Sequence, residues 1–192
     1  GAYASTTFER SDLADNPIVN MVSKVAVLRN SIDGAFGGIS VEHFASANNA
    51  HSEVHDDYEA EIADNVVGAT VWGIWAYVSD DTFTGADTAG TVVDGSQSVM
   101  VASNEVSGDM EAYGIQIRLT SSNGNLGSLA ASADFTVEDN IVMDCEEGIY
   151  TEMSPDAAQD QTLQVRNNMV TSTVNHGIYV SGGMADVLNN TV

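Results

Sequence analysis

Hydrophobic and polar positions along this chain repeat a short phrase: an apolar residue, then asparagine three positions later, with a further apolar residue close behind. The phrase is clearest near the end of the chain, where VRNNMV at 165–170 returns as VLNNTV at 187–192. Earlier copies lie at 25–30, 62–67, 101–106 and 137–142, so six asparagines mark the pattern: Asn30, Asn65, Asn104, Asn140, Asn168 and Asn190. A repeat of this length predicts a solenoid, because each unit is too small to bury its own core and must stack on its neighbours.

A second marker follows each of the first five asparagines after eight to ten residues, the dipeptide Gly-Ile. It stands at Gly38, Gly73, Gly114, Gly148 and Gly177 with the isoleucine that follows each. The run GIYV at 177–180 alternates like a strand, with Ile178 and Val180 on one side and Tyr179 on the other. Frequent glycine and β-branched residues exclude an α-solenoid, and the shortest interval between markers, 22 residues (190 − 168), predicts a minimal coil that other repeats enlarge by insertions.

Asparagine in a tight turn between short strands, followed by Gly-Ile-x-Val, resembles the coil of right-handed parallel β-helices such as pectate lyases and related polysaccharide-active proteins. The resemblance covers roughly residues 25–192. Asparagine tolerates the left-handed conformation of a tight bend, and its amide can hydrogen-bond to the same residue in the next coil. We therefore predict an all-β, right-handed parallel β-helix of about five to six coils, with an internal asparagine ladder and loop insertions on one edge.

The domain prediction is a cap or arm over residues 1–22 and a β-helix over residues 23–192. Within the cap, 11–22 is predicted to form a short helix with Asn16 as its cap and Pro17 at its first position. The predicted insertions are 42–61, 79–97, 120–133 and 153–162, all of which follow a Gly-Ile strand.

The outward positions of the Gly-Ile strands predict a binding surface. Because alternate residues face outward and stack coil over coil, two columns are expected. The first column is Ser40, Trp75, Gln116, Tyr150 and Tyr179, and the second is Glu42, Tyr77, Arg118, Glu152 and Ser181. Aromatic rings beside polar groups suit a sugar chain, so we predict that Trp75, Tyr77, Gln116, Glu152 and Tyr179 bind polysaccharide. The alternative is that these aromatic residues are ordinary strand formers covered by the insertions.

The resemblance also implies a type of chemistry, since lyases and epimerases of the family act on uronates with a base and a group that neutralises the acid. The catalytic candidates here are Arg118 as base or carboxylate clamp, Tyr150 as acid, and His176 with Glu147. Hydrolysis is a further possibility, although no close pair of aspartates falls on the predicted strand face. For His176 the alternative is a structural turn residue.

Three of the four histidines fall in the first predicted insertion. In an extended chain His51, Glu53 and His55 would share one face, a spacing that fits zinc or another divalent ion, with a solvated acidic loop as the alternative. A calcium ion is also considered for the second insertion, but its aspartates lack the EF-hand spacing. Calcium or another divalent cation is therefore the candidate cofactor.

The net charge of the chain limits which classes of partner it can bind. The 28 acidic and 5 basic residues give a formal charge of −23, which argues against nucleic acid or an anionic membrane as partner. Adaptation to high salt and sites for divalent cations both explain such an excess of acid. No apolar run reaches membrane-spanning length, and the single cysteine excludes an internal disulfide.

The resemblance leads us to expect an extracellular or cell-surface protein. Two functions follow: a β-helix that binds or processes polysaccharide along its outward strand face, or a structural or adhesive protein that stacks end to end into a filament or matrix. The second is suggested by the last marker phrase, which ends at Val192 without a capping sequence, so that either the natural chain continues or another subunit covers the last coil. Head-to-tail self-association is therefore a further expectation.

Overall fold

The structure is a computed structural model that describes residues 2–8, 18–47, 53–82, 92–108, 110–123, 128–129, 132–153 and 160–192. Its regular elements are fourteen β-strands, which are β1 (Ala2–Phe8), β2 (Ile18–Leu28), β3 (Ser31–Ala47), β4 (Glu53–Ala63), β5 (Val66–Thr82), β6 (Val92–Ala102), β7 (Glu105–Ser107), β8 (Met110–Asn123), β9 (Ser128–Leu129), β10 (Ser132–Glu138), β11 (Ile141–Met153), β12 (Gln161–Arg166), β13 (Met169–Ser181) and β14 (Met184–Leu188).

The strands form two parallel sheets. Sheet A has seven strands in the order β1-β3-β5-β7-β11-β13, with β8 also pairing β5 and β11. Sheet B has seven strands in the order β14-β12-β10-β6-β4-β2, with β9 pairing β6. The chain passes from one sheet to the other at nearly every connection, so each strand pairs with the strand that occupies the same place one repeat later. The all-β prediction is confirmed, whereas the number of coils stays a prediction.

The asparagine ladder lies at the turn from sheet B to sheet A. Each marker asparagine donates its side-chain amide to the side-chain oxygen of the next, at 3.0 Å from Asn30 to Asn65 and 2.9 Å from Asn65 to Asn104. The ladder continues at 2.9 to 3.0 Å through Asn140, Asn168 and Asn190. The same oxygen also accepts the backbone N–H of the preceding asparagine in the ladder. The predicted ladder is therefore confirmed.

The left-handed residue of this turn is the one before the asparagine, which corrects the sequence interpretation. Positive φ angles of 55 to 58° occur at Arg29, Asp64, Ser103, Asp139, Asn167 and Asn189. The bend is thus made by a residue whose side chain is exposed, and four of the six are Asp or Asn, which tolerate the left-handed conformation better than most residue types. The following asparagine is free to turn its amide inward.

The two sequence markers meet in space. A Cβ on Gly148 would lie 2.2 Å from the carbonyl oxygen of Gly177 and 2.4 Å from Val170 Cγ1. Equivalent contacts occur at Gly38, Gly73 and Gly114, each against the valine two residues beyond a marker asparagine. The glycine of one coil therefore makes room for the valine and the backbone of the next, which explains why the markers keep a nearly constant phase.

The core lies between the sheets. Its largest cluster includes the inward isoleucines Ile39, Ile74, Ile115 and Ile149, which succeed one another in strand register. A smaller cluster contains Ala45, Val54 and Val93.

A buried polar pair separates the two clusters along β3 and β4. His43 Nε2 lies 2.5 Å from Asp56 Oδ2, and both side chains are fully buried. The His43 ring stacks on Tyr58 with centroids 4.0 Å apart. Burial, with a contribution from the Asp56 carboxylate, raises the pKa of Tyr58 well above its usual range, so this phenol remains protonated inside the fold.

Two predictions about the connections are wrong. Residues 18–22, predicted as the end of a helix, belong to strand β2, while residues 9–17 lie outside the described part of the chain. Most of the predicted insertion at 42–61 is regular strand, because β3 extends to Ala47 and β4 begins at Glu53. Most outward positions of β4 are acidic, so its alternation of buried and outward residues resembles a polar insertion in the sequence. The domain division at residue 22 stays a prediction, although β2 runs across it.

Candidate functional site: the outer face of sheet A

The outward positions of β3, β5, β8, β11 and β13 form the surface we call the outer face. Strand register aligns Ser40, Trp75, Gln116, Tyr150 and Tyr179 in one column. It also aligns Glu42, Tyr77, Arg118, Glu152 and Ser181 in a second column. Both predicted columns are confirmed as arrangements, because the Gly-Ile marker fixes the register of every strand in sheet A.

A third column lies at the positions before the marker glycines, where sheet A bends. The register aligns Gly37 with Trp72, Tyr113 with Glu147, and Glu147 with His176. Sequence reasoning noticed Glu147 and His176 but missed Trp72 and Tyr113. Simple alternation fails here because strand β11 has a register shift between Cys145 and Glu147. Their position in the sequence could have identified Trp72 and Tyr113, because each of these residues directly precedes a marker glycine.

Aromatic side chains connect the columns. Trp72 and Trp75 pack edge to face, with ring centroids 6.1 Å apart and an interplanar angle of 87°. The Trp72 indole lies over Gly37, where a Cβ would come within 2.2 Å of the ring. A glycine at this position therefore lets the tryptophan lie flat against β3.

Three tyrosines continue the aromatic surface. Tyr150 and Tyr179 are stacked, with centroids 4.7 Å apart and an interplanar angle of 10°. Tyr113 lies against Tyr150 at 4.9 Å with a tilt of 57°. The rings that face each other cover one another, so Tyr150 and Tyr179 cannot both offer two open faces to a ligand.

An ion pair occupies the second column. Arg118 Nε lies 3.0 Å from Glu152 Oε2, and the two residues are register partners on β8 and β11. On the other side of Arg118, the Tyr77 hydroxyl shares a 2.8 Å hydrogen bond with Thr120 Oγ1. Arg118 therefore sits beside one carboxylate rather than between two, since Tyr77 separates it from Glu42.

A hydrogen-bonded acid–imidazole pair lies at the bend. His176 Nδ1 is 2.9 Å from Glu147 Oε2, and the Asn175 amide donates to Glu146 and Glu147 at 2.9 and 3.3 Å. The His176 ring centroid is 5.6 Å from that of Tyr179. A carboxylate holding one imidazole nitrogen leaves the other nitrogen able to donate or accept a proton. The predicted proximity of Glu147 and His176 is confirmed, and their catalytic role stays a prediction.

The acidity of Tyr150 bears on its predicted role. Desolvation raises the pKa of this phenol, and the Glu152 carboxylate raises it further. At neutral pH the group is therefore a hydrogen-bond donor, and its assignment as a catalytic acid stays a prediction.

Two of the three predicted metal ligands lie elsewhere, on the outward side of sheet B. His51 is outside the described residues. Glu53 and His55 share the outward face of β4, with 3.8 Å between Glu53 Oε2 and His55 Nε2, and His55 Nδ1 contacts Asp94 Oδ1. Within the described ranges, no group of three or more His, Cys, Asp or Glu side chains is arranged to hold a metal ion. The metal site and the divalent cofactor stay predictions.

Comparison with known proteins settles the class of fold. A family model described as a right-handed beta helix region matches residues 18–192. The chain belongs to the right-handed β-helix family. No curated protein and no solved structure matches this β-helix. In the described part of the β-helix, no helix has the length and apolar character needed to cross a membrane.

Proposed function

We propose that this β-helix is an extracellular or cell-surface protein that binds a polysaccharide along the outer face of sheet A. The observation that carries the proposal is the alignment of aromatic and hydrogen-bonding side chains in two columns on the outer side of sheet A. Most of these side chains are partly exposed, whereas Ser40 and Gln116 are buried. A sugar chain presents apolar C–H surfaces and hydroxyl groups together, and such a face offers partners for both.

The geometry favours an extended ligand that runs along the solenoid axis. Neighbouring strands lie about 4.8 Å apart, so the span from β5 to β13 is about 14 Å. Over this span Trp75, Gln116, Tyr150 and Tyr179 follow one another without a register break. Because the two stacked tyrosines cover each other, they contribute ring edges and hydroxyl groups, while the tryptophans contribute apolar surface.

The indole Nε1 of Trp75 is buried and has no hydrogen-bond partner among the described residues. Because this atom is closed off from solvent, Trp75 would offer a ligand the apolar surface of its ring and not this donor.

Processing of the bound chain would use the polar groups beside the aromatic columns. Glu147 and His176 supply a proton acceptor and donor, with Arg118 and Tyr150 as charge and hydrogen-bond partners. End-to-end assembly as a structural protein, the second function expected from the sequence, stays a prediction.

Binding to an array of immobilised oligosaccharides tests the proposal. The Trp75→Ala and Tyr150→Ala variants should lose binding at least about tenfold, the scale of a lost aromatic contact of about 1.4 kcal/mol. The matched control is Met184→Ala, which removes an exposed large side chain from sheet B. Folded wild-type protein that binds no oligosaccharide, or variants that bind as wild type does, would refute the proposal.

A further inference from the structure

Every described lysine and arginine of this acidic chain is paired with a carboxylate. Lys24 pairs with Glu59 at 2.7 Å, Arg29 with Asp64 at 3.8 Å, and Arg166 with Glu138 at 2.6 Å. The outer face holds the fourth pair, Arg118 with Glu152. In the described part of the chain, the charge of every lysine and arginine is thus balanced by a carboxylate of the protein itself.

The remaining charge on and beside the outer face is negative. Glu146 and Glu147 lie beside the outer face, where they contact Asn175 and His176. Glu147 is the partner of the one histidine at this site, so even a protonated His176 would be balanced.

Strand register builds the Arg118–Glu152 pair into the fold. The two residues are direct partners on adjacent strands, and they flank the aromatic column at Gln116 and Tyr150. Both side chains are less than half exposed, at 43% and 37%. A guanidinium is the side chain best suited to hold a carboxylate, because its fork of N–H donors matches two oxygens. Glu152 Oε2 lies 3.0 Å from Arg118 Nε without forming a hydrogen bond to it, so the two residues make an ion pair in which Glu152 balances the charge of the guanidinium.

We propose that Glu152 determines ligand class on the outer face: by balancing the charge of Arg118, it makes the surface select uncharged glycan chains and reject polyuronates. This inference rests on the proposed function. A uronate chain would bring one carboxylate per sugar to a surface whose only described arginine is already neutralised. It would meet the repulsion of Glu146 and Glu147 without a compensating ion pair. An uncharged chain meets the same aromatic and hydrogen-bonding groups without that penalty.

The test compares two classes of ligand on the full chain. The uncharged probes are cello-, xylo- and manno-oligosaccharides, and the charged probes are oligogalacturonate and oligomannuronate of matched length. Glu152→Gln removes the charge that holds Arg118 and keeps the shape of the side chain. The matched control is Glu59→Gln, which makes the same change in net charge and frees Lys24 on sheet B.

We expect wild-type protein to bind an uncharged probe and to bind the uronates at least about tenfold more weakly. Glu152→Gln should raise the ratio of uronate to uncharged affinity by about tenfold, because the freed Arg118 could form a partly screened ion pair with a uronate carboxylate, worth about 1.4 kcal/mol. Glu59→Gln should leave this ratio unchanged. The uronate affinity gained in Glu152→Gln should fall as sodium chloride is added.

Wild-type protein that binds uronates as well as uncharged chains would overturn the role of Glu152 while leaving glycan binding intact. An unchanged ratio in Glu152→Gln, or an equal rise in Glu59→Gln, would also overturn it. Failure of wild-type protein to bind any probe would instead refute the proposed function, and the inference with it.

Discussion

At the scale of single residues, the ladder asparagines have the most demanding role. Asn104 lies at its centre and is buried. Its amide donates to Asn140 and to the backbone oxygens of Ile62 and Ala102, while its oxygen accepts both the backbone and the side-chain N–H of Asn65. One side chain therefore satisfies groups on three successive turns.

Replacing Asn104 by alanine should lower the free energy of unfolding by about 3 kcal/mol, since two buried donors of Asn65 lose their acceptor. The matched control is Asn30→Ala at the partly exposed end of the ladder, where the loss should be about 1 kcal/mol. Urea unfolding measures both. Equal losses at the two positions would contradict a ladder whose centre is the most stabilising part.

Cys145 gives a prediction about pH. Its side chain is 3% exposed, and burial raises the pKa of the thiol from 9.0 to about 11. The thiol stays protonated in the folded state while the unfolded chain ionises, so the free energy of unfolding is unaffected below pH 9 and decreases between pH 9 and 11.

The comparison of wild type with Cys145→Ala isolates this effect, because both proteins share all other titrating groups. Between pH 8 and about 10.5, wild type should lose about 2 kcal/mol more than the variant. Parallel pH profiles for the two proteins would show that the thiol ionises equally in the folded and unfolded chains.

At the scale of strands, the glycine–valine contact joins neighbouring coils. The sequence contains both markers at a nearly constant spacing, and this spacing predicts the register of the outward columns. The contact itself was not predictable from spacing, because it joins the glycine of one repeat to the valine of the next across the interior of the fold.

Gly148→Ala should destabilise the protein by about 3 kcal/mol, because the added methyl group meets the Gly177 carbonyl and Val170. Gly68→Ala serves as the control, since its nearest atom beyond the neighbouring residues is Asp33 Oδ1 at 3.1 Å. It should change stability by less than about 1 kcal/mol. Similar chemical denaturation midpoints for the two variants would argue against close packing at the marker glycines.

The sequence-based prediction was least accurate in β4, where acidic residues make the alternation of apolar and polar positions hard to recognise. In β4 the inward side carries Val54, Tyr58 and Ile62, but the intervening positions are mostly acidic, and one inward position is Asp56. A charged residue inside a core is recognisable only with its partner, and His43 lies on another strand in the other sheet. The acidic positions of β4 therefore predict an insertion where the structure has a strand.

At the scale of the whole molecule, charge is the dominant feature. The formal charge of −23 leaves most carboxylates without a basic partner, and mutual repulsion opposes the folded state. Salt screens such repulsion, with a Debye length of about 8 Å at physiological ionic strength.

Sodium chloride should therefore raise the melting temperature, and potassium chloride of equal ionic strength should act alike. Calcium chloride at matched ionic strength separates this effect from specific cation sites, because a site would add stabilisation at low millimolar concentration that a chelator removes. A protein that is most stable without added salt would contradict adaptation to salt.

The central claim is that the outer face of sheet A binds a glycan chain, and the tryptophans provide its most direct test. The chain contains two tryptophans, Trp72 and Trp75, which pack against each other on this face. Their two indole N–H signals in a nitrogen–proton correlation spectrum therefore report on the proposed site alone. Titration with the uncharged oligosaccharide that binds best on the array should shift both signals in a saturable manner. Signals that stay in place while that oligosaccharide binds would contradict the claim.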